Sequence, residues 1–149
     1  MKSFDFRFEK VLTIKEREKE EVFSTYQESI KQFQEVAEKL YELLKKKEDL
    51  IDYQEKQLQI GIPVQSIRQH SSFLTNLEKS ISYYQERVIQ ARNRMTWFEQ
   101  KLAEKNIEVK QYEKMKEKAF HQYVKVQNYE ETKQLDELAM MQFGKGAWR

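Results

Sequence analysis

Apolar residues recur along most of the chain at alternating steps of three and four residues. Steps of three and four keep side chains on one face of an α-helix, and the charged residues between them make the pattern typical of a coiled coil. In the first of two such stripes, nine of eleven positions are apolar or aromatic. The pattern predicts a first helix over residues 5–60. The stripe consists of Phe23, Tyr26, Ile30, Phe33, Ala37, Leu40, Leu44, Lys47, Ile51, Gln54 and Leu58.

The second stripe begins at Ile67 and His70 and predicts a second helix over residues 66–142, followed by a loose tail over 143–149. From Leu74 onward, fourteen of its sixteen positions are apolar or aromatic. After Val126 the register changes, which alters supercoiling locally. The stripe continues through Leu74, Leu77, Ile81, Tyr84, Val88, Ala91, Met95, Phe98, Leu102, Lys105, Val109, Tyr112, Lys116, Ala119, Tyr123 and Val126.

One strong break separates the two stripes. Gly61 and Pro63 lie close together there, and glycine ends helices that proline cannot continue. This break predicts a hairpin tip at residues 61–65, with Ser66 as the cap of the second helix. A short loop between long helices makes them antiparallel. The predicted fold class is all-α: a single-domain, two-helix antiparallel coiled-coil hairpin, with residues near Phe4 beside those near Ala119.

Composition supports long helices and offers little for other fold classes. The 149 residues include only three glycines and one proline, and 35% are charged. The net charge is +2 with the signs interspersed, so we expect no nucleic-acid partner. Cysteine is absent, and no apolar run is long enough to cross a bilayer. We therefore expect a soluble intracellular protein without direct membrane insertion.

The sequence contains no recognisable catalytic, cofactor or metal site. Phosphate loops and nucleophile elbows are absent, and the two histidines, His70 and His121, are too far apart on one helix to share a metal. The carboxylate pairs and the basic clusters fit solvated helix faces better than reactive clefts. We therefore predict a protein that is not an enzyme. The groups concerned are Glu48/Asp52, Glu104/Glu108, Lys45–Lys47 and Arg87/Arg92/Arg94.

Some apolar residues lie off both stripes and are candidates for protein contacts. One group flanks the hairpin tip, where exposed aromatic and leucine side chains would form an interface. Flanking positions that widen the core are an equally good interpretation. A second group lies near the two termini and predicts a docking segment. The first group is Tyr41, Leu43, Leu50, Tyr53, Phe73 and Tyr83, and the second is Phe4, Phe6, Phe8, Val11, Leu12, Met140, Met141, Phe143 and Trp148.

Four segments together resemble the FliJ family of flagellar export proteins. They are the opening Phe4-Asp-Phe-Arg-Phe-Glu-Lys-Val-Leu12, the segment Leu50-Ile-Asp-Tyr-Gln54, the segment from Phe73 to Ile81, and the stretch from Glu131 to Ala139. Each motif is weak alone because coiled coils share composition. Their order and spacing around one hairpin make the resemblance more specific, and it spans nearly the whole chain.

The resemblance implies a role in flagellar type III export, as a subunit similar to the central stalk of rotary ATPases. It implies three partners: the hexameric export ATPase, the membrane export gate and export chaperones. It also implies a cytoplasmic location at the inner face of the membrane. For the gate, the matching residues are Leu50, Tyr53, Phe73 and Leu77, although Leu77 lies in the stripe and is better explained as a core residue. Gln57 and Tyr84 depart from the family pattern. For the ATPase ring, the candidates are Phe4, Phe6, Phe8, Leu138, Met140 and Met141.

Two alternatives remain open from the sequence. A generic coiled-coil scaffold or holdase chaperone would use the same exposed apolar residues to bind client segments. The equivalent stalk of a virulence secretion system would share both architecture and mechanism. Stimulation of a partner ATPase distinguishes a stalk from a scaffold.

Overall fold

Two long helices joined by a three-residue connection make up nearly all of the protein. The structure, a computed structural model, describes the backbone of residues 3–147 and the side chains of residues 3–144. Helix α1 spans Glu9–Ile60 and helix α2 spans Val64–Ala147. No strand occurs within residues 3–147, so the predicted all-α hairpin is confirmed. Trp148 and the last residue of the predicted tail lie outside the described residues.

Helix α1 begins later than the predicted residue 5. Residues 3–6 are not helical and lead into a turn at Arg7 and Phe8. The Glu9 N–H donates to the Phe6 carbonyl at 3.1 Å, and the Leu12 N–H donates to the Phe8 carbonyl at 2.9 Å. Glu9 places a carboxylate in the first turn, where the positive end of the helix dipole favours it.

The hairpin tip reverses the chain at Gly61, Ile62 and Pro63. Gly61 adopts φ 93°, a left-handed conformation that glycine takes without a Cβ clash, and its N–H donates to the Gln57 carbonyl at 2.9 Å. The Pro63 carbonyl accepts from the N–H groups of Ser66 and Ile67. The prediction of Ser66 as the cap is therefore wrong: α2 starts at Val64, and Ser66 lies inside its first turn.

Helix α2 ends later than predicted. The expected loose tail started at residue 143, whereas the helix continues to Ala147. A single glycine inside a helix costs only about 1 kcal/mol relative to alanine. Gly144 alone, without a following proline, therefore does not end the helix.

The chain divides into two units, each containing part of both helices. The hairpin unit is Glu20–Ala103 and includes the tip. The terminal unit combines Met1–Lys19 with Glu104–Arg149. Neither helix contains, within the described residues, a stretch long and apolar enough to cross a membrane.

The core of the hairpin unit lies between facing leucine and isoleucine side chains. Leu43, Leu77 and Ile81 are buried together, and partly buried side chains from both helices pack around them. The Lys47 ammonium lies 3.6 Å from the Glu78 carboxylate across the helix pair. Antiparallel pairing of α1 with α2 is thus set by both apolar and charged contacts. The surrounding side chains are Leu40, Leu50 and Tyr84.

The predicted stripe on α2 is confirmed over most of its length. Every stripe member from His70 to Tyr123 is buried or half-buried. The two end members, Ile67 and Val126, are exposed. The 3-4 spacing on this helix therefore identified the inward face correctly.

The predicted stripe on α1 is wrong at three of its eleven positions, where the side chain is exposed. Leu43 is only 7% exposed, whereas the predicted Leu44 is 41% exposed, and Phe23 and Leu58 are exposed as well. The buried face is displaced by one residue at these positions. At several of these positions the adjacent residue is apolar too. The 3-4 spacing therefore fits two neighbouring faces of α1, and only contact with α2 selects between these faces. The correctly predicted members are Tyr26, Ile30, Phe33, Ala37, Leu40, Lys47, Ile51 and Gln54, and the further inward positions are Val22, Ser29, Val36, Leu43, Leu50 and Gln57.

Ser29 is the most buried polar residue in the described chain, at 1% exposure. Its hydroxyl donates to the Tyr26 carbonyl at 2.6 Å. A buried hydroxyl without a partner would be costly, and this bond satisfies it within the helix. A small polar residue can therefore occupy the inward face of α1.

In the terminal unit, the N-terminal segment and the start of α1 pack against α2. Phe6, Leu12 and Val109 form its buried core. Phe4 and Ala119 belong to the same cluster, so the predicted register between them is confirmed.

Four alternating charges connect the two helices of the terminal unit. Lys105 donates to the Glu18 carboxylate at 3.1 Å, and Lys15 lies 3.4 Å from the Glu108 carboxylate. The two intrahelical pairs, Lys15–Glu18 and Lys105–Glu108, close the cluster at 3.7 and 3.5 Å. Glu108 was expected to be a solvated charge, but its Oε2 atom is buried beside the two ammonium groups. The hydrogen bond with Lys105 lowers the pKa of Glu18 below 4.5, and the same bond raises the pKa of Lys105 above 10.5.

The displaced stripe on α1 predicts different costs for two adjacent substitutions. Leu43→Ala should lower the free energy of unfolding by about 2–4 kcal/mol, because it leaves a cavity between the helices. Leu44→Ala, the matched control, should cost less than about 1 kcal/mol because its side chain is exposed. Urea unfolding followed by circular dichroism measures both. Equal costs would contradict the assigned face.

The charge cluster predicts a pH-dependent difference in stability. Because the pKa of Glu18 is lower in the folded state, its ionised carboxylate stabilises the fold fully above pH 4.5, which is its ordinary pKa. This stabilisation is lost as the pH falls through the lowered pKa. Glu18→Gln should therefore reduce the melting temperature at pH 7, and the difference from wild type should disappear at acid pH. Glu16→Gln, at an exposed neighbour, should change little at either pH. A difference that persists unchanged in acid would exclude this ion pair as its cause.

Candidate functional site

The four residues predicted to contact an export gate lie at two depths in the hairpin unit. Tyr53 and Phe73 are 51% and 56% exposed. Leu77 is buried in the core, as its place in the stripe suggested, and Leu50 is half-buried against the same core. The interpretation of Leu50 as a residue off the packed face is therefore wrong. A partner reaching this surface would first meet the two aromatic rings.

Tyr53 is held in place by a neighbouring ring. Its ring centroid lies 5.5 Å from that of His70 on the other helix, with the planes inclined by 41°. His70 is half-buried on the α2 stripe, where a packing histidine was expected. The contact limits the freedom of Tyr53 before any partner binds, which reduces the entropy cost of binding.

The exposure of the remaining residues near the tip shows which of them widen the core and which lie on the surface. Leu43 belongs to the core. Tyr41 and Tyr83 are exposed, as are Tyr53 and Phe73. The leucines therefore widen the core, and the aromatic residues form the exposed surface.

The N-terminal phenylalanines dock on α2 of the same chain. The ring of Phe4 packs against Phe120 at 5.4 Å and against Tyr123 at 5.5 Å. Phe8 packs edge-on against Tyr112 at 6.4 Å, and Phe6 is buried beneath them. The prediction of a docking segment holds, but its partner is intramolecular. Phe6 is 7% exposed and packs in the core with Leu12 and Val109. The contact of these phenylalanines with an ATPase ring stays a prediction.

This packing leaves an open apolar groove beside the N-terminal segment. The groove has a volume of about 580 Å³ and is lined by Ser3–Phe8 and by α2 residues from Met115 to Val126. Met115 lines it, and both Met115 and Phe120, whose ring contacts Phe4, are exposed. Sequence reasoning missed both, because neither lies on the stripe or among the clustered aromatic residues near the termini.

The last turns of α2 carry exposed apolar side chains. All described side chains from residue 128 to residue 143 are exposed. Leu138, Met140 and Met141, three of the residues predicted to contact an ATPase ring, therefore lie on the surface. Sequence reasoning placed Leu138 and Met141 off the stripe, and the structure agrees. The exposed apolar members are Tyr129, Leu135, Leu138, Met140, Met141 and Phe143.

Basic residues in the middle of α2 rest on aromatic rings. The Arg87 guanidinium lies 5.9 Å from the Tyr83 ring centroid, and that of Arg94 lies 5.4 Å from the Phe98 centroid. The Lys101 ammonium lies 5.3 Å from the Trp97 centroid. These cation–π contacts occupy side chains that the sequence indicated only as a solvated basic face.

The described residues offer no arrangement suited to metal chemistry. Among them, no group of three or more histidine, cysteine, aspartate or glutamate side chains is placed to hold a metal ion.

Comparison with known proteins gives one consistent result. The family model described as "Flagellar FliJ protein" matches residues 4–147. A Bacillus subtilis (strain 168) protein named "Flagellar FliJ protein" is 44% identical over 141 residues, which cover 95% of this chain and 96% of that protein. No solved structure matches the chain. The similarity spans the tip, both helices and the N-terminal segment.

Proposed function

The chain belongs to the FliJ family of flagellar proteins, and from this premise we propose that it is a non-enzymatic component of the flagellar protein export apparatus. In this proposal it binds the export ATPase ring and connects it with the membrane export gate. It also escorts export chaperones. It acts in the cytoplasm, at the inner face of the membrane, where these partners meet.

The observation that supports this proposal is the presence of exposed apolar side chains in both units. Tyr53 and Phe73 are exposed in the hairpin unit, and Leu138, Met140 and Met141 are exposed in the terminal unit. Exposed clusters of large apolar side chains mark sites where partners bind. A chain with one such surface in each unit can bind two partners at once.

The end of α2 fits the role of the segment that enters the ATPase ring. An amphipathic helix that places apolar residues in a groove of a partner is a recurrent mode of recognition. Methionine side chains adapt their shape, which suits contact with several similar subunits in turn. Residues 128–143 also contain four carboxylates and one lysine, so a ring surface with basic side chains would complement them.

The N-terminal phenylalanines take a supporting part in this proposal. Phe4 and Phe8 pack against Phe120 and Tyr112, and so connect the N-terminal segment to α2. Their partly exposed edges lie beside the open groove. An apolar side chain from the ATPase would fit there, next to the uncovered end of α2.

The aromatic pair near the tip fits the proposed contact with the export gate. Interface energy is often concentrated in a few aromatic anchors surrounded by near-neutral contacts. Tyr53 and Phe73 have the exposure that such anchors need, whereas Leu77 lies in the core of the hairpin unit and Leu50 packs against that core. The gate contact is therefore assigned to the two rings.

The family membership favours a flagellar stalk over the equivalent protein of a virulence system. A generic scaffold or holdase chaperone differs in one measurable respect, because it would not stimulate the export ATPase. An increase in ATP hydrolysis by the cognate ATPase on addition of this chain therefore tests the proposal directly. No increase would favour the scaffold.

Substitution of the exposed rings should separate gate binding from stability. Tyr53→Ala and Phe73→Ala should each weaken gate binding about tenfold, because a buried aromatic anchor contributes more than about 1 kcal/mol. Helical content and melting temperature should stay close to wild type. Calorimetric titration with the soluble part of the gate protein measures the affinity.

Leu77→Ala is the contrasting variant for this experiment. It should lower the melting temperature, because Leu77 lies in the core. If Tyr53→Ala or Phe73→Ala unfolds the helices instead, those rings belong to the core and the gate surface is misassigned.

Removal of the last ten residues should impair the ATPase contact. Deletion of residues 140–149 removes Met140, Met141 and Phe143, so stimulation of the ATPase should fall severalfold while helical content per residue is retained. Ile89→Ala, at an exposed position in the hairpin unit, is a suitable control and should stimulate normally. Unchanged stimulation by the deletion variant would place the contact elsewhere on the chain.

A further inference from the structure

The hairpin tip exposes aliphatic side chains that no part of the described chain covers. Ile60 is 78% exposed and Val64 is 67% exposed, on either side of the reversal at Gly61. Leu58 and Ile67, two and three residues further from the reversal, are exposed as well. The tip thus carries four exposed aliphatic side chains, contributed by both helices.

Charge is distributed unusually around these side chains. Residues 56–77 contain no aspartate or glutamate, although the chain as a whole has 25. This is the longest acid-free stretch in the sequence, and the next longest runs are 12 residues. Lys56 and Arg68 are the charged residues within it. The remaining polar residues are mostly uncharged glutamines and serines.

The absence of aspartate and glutamate around the tip indicates what kind of partner covers it. A protein groove would contact one face of the hairpin and leave the other faces free to carry glutamates, as they do along the rest of both helices. Here carboxylates are missing from every face of the tip itself, residues 56–67. Further from the tip, Asp52 and Glu55 of α1 lie beside α2, since Tyr53 between them contacts His70. A membrane interface surrounds an inserted tip on all sides. Its apolar boundary disfavours carboxylates, and anionic lipids repel them while attracting lysine and arginine.

We propose that the hairpin tip, residues 56–68, docks reversibly on the surface of an anionic lipid membrane. Ile60, Val64 and Leu58 enter the boundary between headgroups and acyl chains, and Lys56 and Arg68 contact the anionic headgroups. This contact is independent of the gate and ATPase surfaces proposed above. The expectation of a chain without direct membrane insertion stays a prediction, and this contact is confined to the membrane surface.

The docking is interfacial because the tip cannot go deeper. Helix ends leave backbone groups without intrahelical partners, and such groups are costly within hydrocarbon. Glu55 and Glu78 border the acid-free stretch on the two arms and limit the inserted depth. The structure accordingly contains no membrane-spanning helix within the described residues.

Co-sedimentation of the full chain with lipid vesicles tests the proposal. Wild type should bind vesicles of phosphatidylcholine with about 30% phosphatidylglycerol more tightly than pure phosphatidylcholine. The double variant Ile60→Asp/Val64→Asp should reduce binding about tenfold or more, because it replaces buried apolar side chains with charges. Ile89→Asp/Ile107→Asp is the matched control. It makes the same charge change at exposed isoleucines away from the tip and should reduce binding less than twofold.

A site-specific fluorophore tests which part of the chain meets the lipid. The sequence has no cysteine, so Gln65→Cys and Thr96→Cys each give a single labelling site at an exposed position of α2. An environment-sensitive dye at position 65 should shift to the blue on addition of anionic vesicles. The same dye at position 96 should not shift.

Three results would overturn the proposal. They are absence of wild-type binding to anionic vesicles, equal losses for the tip variant and the control, and equal dye responses at positions 65 and 96. Circular dichroism of each variant establishes that the helices remain intact. If Ile60→Asp/Val64→Asp prevents binding to a purified gate protein while wild type ignores vesicles, the tip contacts protein and the lipid assignment is wrong.

Discussion

Burial of one narrow apolar seam between two antiparallel helices is the interaction on which the rest of this structure depends. Long helices rich in charged residues gain most of their stability from such packing, since helix propensity alone is marginal. The seam of a two-helix pair is thin. Among the described residues, six apolar side chains are buried and 23 large apolar side chains are exposed. The seam therefore leaves many large apolar side chains uncovered.

Charged contacts complement the seam by specifying how the helices align. Apolar side chains of similar size tolerate a shift along the partner helix, whereas displaced ion pairs lose their attraction or meet like charges. Lys47 and Glu78 align the hairpin unit, and Lys116 and Glu9 align the terminal unit at 2.9 Å. The four-charge cluster around Glu18 and Lys105 adds a second point of alignment in the terminal unit. These contacts favour one register among several that the apolar pattern would permit.

The exposed apolar side chains form chemically different surfaces. Aromatic rings dominate near Tyr53 and Phe73, methionines and leucines dominate at the end of α2, and aliphatic residues without carboxylates surround the tip. In the proposals above, these surfaces bind different partners: a gate protein for the rings, an ATPase ring for the adaptable helix end, and lipid for the tip. One chain can in this way make several contacts.

The amino-acid sequence by itself determined the two helices, the tip at Gly61–Pro63, the antiparallel pairing and the inward face of α2. Each follows from local rules, because glycine and proline interrupt helices and a single apolar stripe has only one way to face inward. The inward face of α1 was decided only by tertiary structure. Leu43 and Leu44 are equally apolar, and contact with Leu77 and Ile81 selects Leu43. The same holds for Phe6, whose burial depends on residues of α2 about a hundred positions away along the chain. The exposure of a candidate binding residue is decided by the packing of α1 against α2, because it depends on which side chains of the opposite helix cover that residue.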